Sequence, residues 1–279
     1  MHPIFMDLLR RVSRDGISLL AAAIAFWAFA AVPSALTAIV SLYGLMFGPL
    51  DIAQQLGYMN NVLPADVISL LSDFLTSLSQ RPTTQLGLGL GLGFGLAIWS
   101  AQSATYAMIT ALGVIHGAPN ARGVVRLEAL ALAMASGAIG FAVFAAALLD
   151  AVPAVFDFFK LGEGTKTLAG LLRWPILLVL VGGALAGIYR FAPARPGLQR
   201  ASDWWGVLLA TASCLIGSVI FSLYVADVAT YDKSYGSLGG VLVLMLWLYL
   251  TAFFVLLGAE LNAVLAERLH HRRDGKPQA

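Results

Sequence analysis

The chain has 279 residues, 59% of them hydrophobic and 11% charged. Soluble domains carry about 25% charged residues, so this composition cannot clothe a globule in water and implies lipid as the solvent. A net charge of +2 excludes the clustered basic face of a nucleic-acid binder, and the lone Cys214 excludes an intrachain disulfide or a cysteine-based metal cluster.

Charged residues punctuate the chain and expose its spans. Nothing is charged between Asp15 and Asp51, Arg81 and Arg122, Glu128 and Asp150, Arg173 and Arg190, Asp203 and Asp227, or Lys233 and Glu260. These intervals predict six transmembrane helices near 17–47, 86–112, 129–150, 174–192, 204–226 and 238–266, with a tail over 267–279, in a single transmembrane domain covering 1–279. About 20 apolar residues cross the ~30 Å hydrocarbon core as a helix. Every backbone amide in lipid needs an internal partner, and the chain lacks the alternation of a membrane β-strand. The predicted fold class is therefore all-α, a polytopic bundle.

The first run exceeds the roughly 7–15 apolar residues of a signal-peptide core and is read as retained. Pro33 falls in its middle and cannot donate a backbone hydrogen bond. A single kinked helix is expected, with two half-helices meeting at Pro33 as the alternative. Beyond Pro64, Val67, Ile68, Leu71, Phe74, Leu75 and Leu78 recur at helical spacing opposite Asp66, Ser69, Ser72, Asp73 and Thr76. That pattern predicts an amphipathic outer-loop helix capping the bundle. The Ala151–Phe159 stretch has the same expectation.

In the second span, glycines stand at 87, 89, 91, 93 and 95. On a helix, Gly87, Gly91 and Gly95 share one face and Gly89 and Gly93 another. Small residues spaced by four allow close helix packing in membranes, or a sliding helix. The same span carries a polar patch at Gln102, Ser103, Thr105 and Tyr106, read as interhelical hydrogen bonding or a cavity lining.

Lysine and arginine set the orientation. Arg10, Arg11 and Arg14, then Arg122 and Arg126, then Arg190, Arg195 and Arg200, then Arg268, Arg272, Arg273 and Lys276 fall on one side. The other side has Arg81, Lys160, Lys166, Arg173 and Lys233. The positive-inside rule puts both termini in the cytoplasm.

The histidines His2, His116, His270 and His271 show no metal-ligand spacing, and P-loop, G-x-S-x-G and H-E-x-x-H motifs are missing. Neither a cofactor, a metal site nor an enzymatic activity is expected. Polar groups at span ends remain. Ionisable groups at membrane depth are functional candidates because burying them is costly. Glu260, with Asn262 close by in sequence, is the first; Arg190, ending the fourth span, is a candidate partner, and Tyr235 and Gln102 complete the candidate cavity or gating set. Glu260 either engages a polar substrate group or gate, or makes an interfacial ion pair. Asp203 before Trp204–Trp205 reads as a helix cap at an aromatic belt.

YGSLGGVLVLMLWLYLTAFFVLLGAELNA, with Tyr235–Gly236, Trp247, Leu248–Tyr249 and Gly258–Ala259–Glu260–Leu261, resembles the YihY/BrkB family of bacterial inner-membrane proteins. Tyr189–Arg190 with Pro193, Gly206, Tyr224, Trp99 and the first span extend the resemblance over nearly the whole chain. It implies an inner-membrane location and a role in transporting lipids or other envelope components, with serum resistance in pathogens. It also attaches a ribonuclease BN label that the residues do not support. The implied partners are membrane lipids, an envelope protein or a second copy of the chain, not nucleic acid. A non-transporting scaffold or envelope-assembly factor is the alternative reading.

Overall fold

The computed structural model describes residues 2–46, 83–117, 123–158, 163–192, 203–228 and 237–273. These form helices α1 (His2–Arg14), α2 (Ile17–Met46), α3 (Thr83–Ile115), α4 (Val124–Phe158), α5 (Glu163–Phe191), α6 (Asp203–Val228) and α7 (Ser237–Arg273). Among the described residues, four segments are long and apolar enough to cross a membrane: Ile17–Ala38, Val124–Ala142, Trp204–Tyr224 and Gly239–Arg268. A shorter apolar helix covers Pro175–Phe191. The amphipathic helix expected after Pro64 and the candidate residue Tyr235 lie outside the described residues.

The first span is one helix through Pro33, the form the sequence favours. Downstream of the proline, Thr37 Oγ1 donates to the Pro33 carbonyl at 2.8 Å, and Ser34 Oγ to the Ala30 carbonyl at 3.1 Å. Such bonds to the preceding turn let a proline-bearing helix persist in lipid. Residues 151–158 are not a separate capping helix but the continuation of α4.

The chain divides into two compact units, Met1–Phe26 with Gln102–Ala279, and Trp27–Ala101. In the second unit α3 packs on α2 through Gly89 and Gly93. A Cβ at Gly93 would lie 2.9 Å from the Ala38 nitrogen, and one at Gly89 2.9 Å from Ser41 Oγ. Gly87, Gly91 and Gly95 meet no described atom within 4 Å. The close approach thus uses the glycine face opposite the one singled out by the longer small-residue repeat. Trp27 and Trp99 meet edge to face, centroids 5.1 Å apart, in the geometry aromatic quadrupoles favour.

The first unit holds the core. Ile17 and Ala21 of α2, Ile109, Leu112 and Ile115 of α3, Leu127 and Ala131 of α4, Leu185 and Tyr189 of α5, Ala210 of α6 and Leu256 and Ala259 of α7 are buried together. These are the helix ends that the larger set of basic residues marks. Outward surfaces are apolar instead: Ile216, Ile220 and Leu223 on α6 and Leu178 and Val179 on α5 are exposed. Large aliphatic groups facing outward along whole helices suit hydrocarbon and not water.

Helices α6 and α7 are the most closely packed pair and run antiparallel, with Gly206 against Gly258 and Asn262, and Gly217 beneath the Phe254 ring. A Cβ on Gly206 would collide with the Gly258 carbonyl oxygen and the Asn262 amide. A Cβ on Gly258 would stand 2.7 Å from both Ala210 Cβ and the Tyr189 hydroxyl. The backbones approach because no side chain separates them. Gly206→Leu or Gly258→Leu should therefore destabilise the detergent-solubilised protein by about 1–3 kcal/mol or more. Gly183→Ala, where nothing lies within 4 Å, should leave its thermal unfolding unchanged; equal effects at all three positions would refute the close crossing.

Candidate functional site

The α5–α6–α7 crossing is held by two buried hydrogen bonds from polar side chains. Tyr189 of α5 donates its hydroxyl to the Val255 carbonyl at 2.5 Å. The Gly206 N–H donates to Asn262 Oδ1 at 2.7 Å. Gly206 is in the first turn of α6, where amides lack intrahelical acceptors. Asn262 therefore acts as a cap delivered by a neighbouring helix, and it is 2% exposed. The sequence grouped Asn262 with Glu260 as a candidate site residue; its observed contact is this cap.

Glu260, two residues earlier on α7, is 0% exposed, and neither carboxylate oxygen has a hydrogen-bond partner among the described residues. Thr211 Oγ1 is the other buried polar side-chain atom without one. A buried carboxylate lacking donors is costly, which makes Glu260 the chemically most unusual group described.

The charges around Glu260 come from the other end of the chain. α1 ends in a turn at Asp15–Gly16, where the Asp15 N–H bonds the Arg11 carbonyl at 2.8 Å and Gly16 adopts φ 64°. Left-handed backbone of this kind favours glycine. The turn lies between two contacts with α7, Arg11 with Glu267 and Ser18 with Tyr249, which sets Asp15 alongside Glu260 with Arg11 and Arg14 within electrostatic range. Arg14 Nε donates to Asp15 Oδ1 at 2.8 Å and Nη2 to Oδ2 at 3.3 Å. The Arg14 hydrogen bonds hold the Asp15 carboxyl below its ordinary range, against the opposing effect of burial.

α1 is fixed to the far end of α7 by ion pairs, Arg11 with Glu267 and Asp7 with Arg268, the latter at 2.5 Å. Nearer the middle of α7, Ser18 Oγ and the Tyr249 hydroxyl share a hydrogen bond at 2.6 Å. Exposed ion pairs contribute about 0–1 kcal/mol each, so α1 is held by a combination of modest terms.

Arg190 does not join this group. It is exposed at the end of α5, and no hydrogen bond or ion pair among the described residues links it to Glu260. Gln102 is half-buried on α3. Trp204 and Trp205 are exposed at the start of α6, as an interfacial aromatic belt requires. Among the described residues no three His, Cys, Asp or Glu side chains converge to hold a metal. Asp15 and the docked α1 were absent from the sequence-derived site. The signal was present in HPIFMDLLRRVSR, where Leu8 and Val12 are spaced by four against Asp7, Arg11 and Arg14.

Membrane-length apolar helices, an aliphatic exterior and one sequestered carboxylate define an integral-membrane helical bundle. The chain belongs to the family described as virulence factor BrkB, which matches residues 8–279. A ribonuclease-like protein, YfkH of Bacillus subtilis (strain 168), is 31% identical over 230 residues, covering 79% of this chain and 80% of the relative. UPF0761 membrane proteins are similar over shorter stretches. The one from Tolumonas auensis is 38% identical over 102 residues, 35% of this chain and 32% of the relative. The one from Vibrio vulnificus (strain YJ016) is 32% identical over 102 residues, 37% and 32% respectively. No solved structure matches the chain.

If Asn262 caps α6, Asn262→Ala should lower stability by about 1 kcal/mol (range about 0.5–2). Thermal unfolding of the purified variant measures this; an alanine variant as stable as wild type would rule the cap out.

Proposed function

We propose that this protein is a six-span inner-membrane transporter or translocase with both termini in the cytoplasm, moving a lipid or another envelope-related molecule. The observation that carries this reading is Glu260, a buried carboxylate without a hydrogen-bond donor among the described residues, toward the end of an apolar membrane helix. Bundles that serve only as anchors gain nothing from a buried acid, whereas intramembrane ionisable groups mark substrate and ion pathways. Orientation rests on the basic residues Arg10, Arg11, Arg14, Arg122, Arg126, Arg190 and Arg268 at one set of helix ends. With that orientation Glu260 belongs to the cytoplasmic half, near the boundary. No hydrolytic role is assigned, and the ribonuclease-like name is that of the Bacillus relative.

Liposome reconstitution tests the proposal. Wild-type protein should accelerate movement of a labelled phospholipid or solute drawn from a broad panel, and Glu260→Gln should slow it several-fold while leaving the protein folded. Wild-type vesicles no faster than empty ones across the panel would contradict transport and favour a scaffold that holds envelope partners.

A further inference from the structure

We infer that Asp15 and Glu260 form a proton-binding carboxylate pair, with one exchangeable proton held on Glu260 and donated to Asp15. The inference uses the same carboxylate as the transport reading but not transport itself, because a protein that moves nothing could still hold this proton.

Among the described residues, the oxygens of Glu260 are sequestered and have no hydrogen-bond partner. The charges acting on it most strongly are Asp15, Arg11 and Arg14, all from α1 and the turn that follows it. Both arginines are engaged elsewhere, Arg11 by Glu267 and Arg14 by Asp15. Neither donates to Glu260. What lies beside it is a second carboxylate, Asp15, set there between the Arg11–Glu267 and Ser18–Tyr249 contacts. Two ionised carboxylates are both acceptors, so their closeness makes no hydrogen bond. One added proton turns the same contact into a charge-assisted O–H···O bond and removes the like-charge repulsion.

The two members differ in a way that assigns the proton. Asp15 accepts two bonds from the Arg14 guanidinium and keeps lone pairs free. It is therefore the ionised partner and the acceptor. Glu260 has no such donor and is the acid. Asp15 also gives the site a route to water, with 9% of its side chain exposed at the turn, while Glu260 has none. A metal cation fits less well: hard cations require six or more oxygen ligands, and no cluster of three candidate ligands exists among the described residues. The balance is simple. A proton from the adjacent aqueous phase adds to one carboxylate oxygen, the pair falls from two negative charges to one, and the proton leaves by the same path.

The test is infrared spectroscopy of the full-length protein in lipid nanodiscs at neutral pH. Wild type should show a protonated-carboxyl C=O stretch that shifts in D₂O. Glu260→Gln, which mimics the neutral acid and should stay folded, should lose it, and Glu267→Gln should retain it. Asp15→Asn should shift its frequency, because the acceptor of the O–H changes. The wild-type spectrum decides without relying on the folding of any variant: no such band in folded protein overturns the inference. So does a band that survives Glu260→Gln or is unmoved by Asp15→Asn. Thermal stability that rises with Na⁺ at constant ionic strength, with no carboxyl band, would replace the proton by a metal cation and equally overturn it.

Discussion

The contact of Gly206 with Gly258 determines how this end of the protein is built. Helices in lipid gain no hydrophobic driving force from each other, since the tails are as apolar as leucine. Association must come from close packing and hydrogen bonds. Where α6 and α7 carry glycine, the backbones come close enough for Asn262 to reach the Gly206 amide and for Tyr189 to reach the Val255 carbonyl. A larger residue at Gly206 would push against Asn262, and one at Gly258 against the Tyr189 hydroxyl. The register fixed in this way sets which residues of α7 point inward.

Glu260 follows from that register. It lies between Gly258 and Asn262, both committed to the crossing, and is carried into the interior with them. The end of α7 beyond it is charged and exposed enough to receive α1 through Glu267 and Arg268. A tight turn at Gly16 then returns the chain into the first span. The consequence is that residues from opposite ends of the chain meet around one buried acid. A site assembled in this way changes if α1 lifts away, because Asp15 and Arg14 leave with it.

Much of the fold was legible in the sequence because charge is so rare in it. The uncharged intervals correspond to helices α2 to α7, and the isolation of Glu260 in an apolar run marked it for depth. Other features were not legible for definable reasons. The glycine run of α3 offers two small faces, and periodicity alone cannot tell which one meets α2; Gly89 and Gly93 do. Arg10, Arg11 and Arg14 served only as orientation markers, so the amphipathic helix containing them passed unread. Arg190 is a candidate partner for Glu260 because both end a span on the same side, yet it is exposed, and Asp15 stands beside the acid instead. Pairing across nearly the whole length of a chain leaves no local pattern to detect.

The central claim is that the α1–α2 turn covers Glu260. Disulfide trapping in native membranes tests it most directly, in a Cys214→Ser background that removes the native thiol. The pair Asp15→Cys with Glu260→Cys should crosslink readily under mild oxidation, and Arg190→Cys with Glu260→Cys should not. A crosslink from position 190 and none from position 15, in protein that remains folded, would contradict the account.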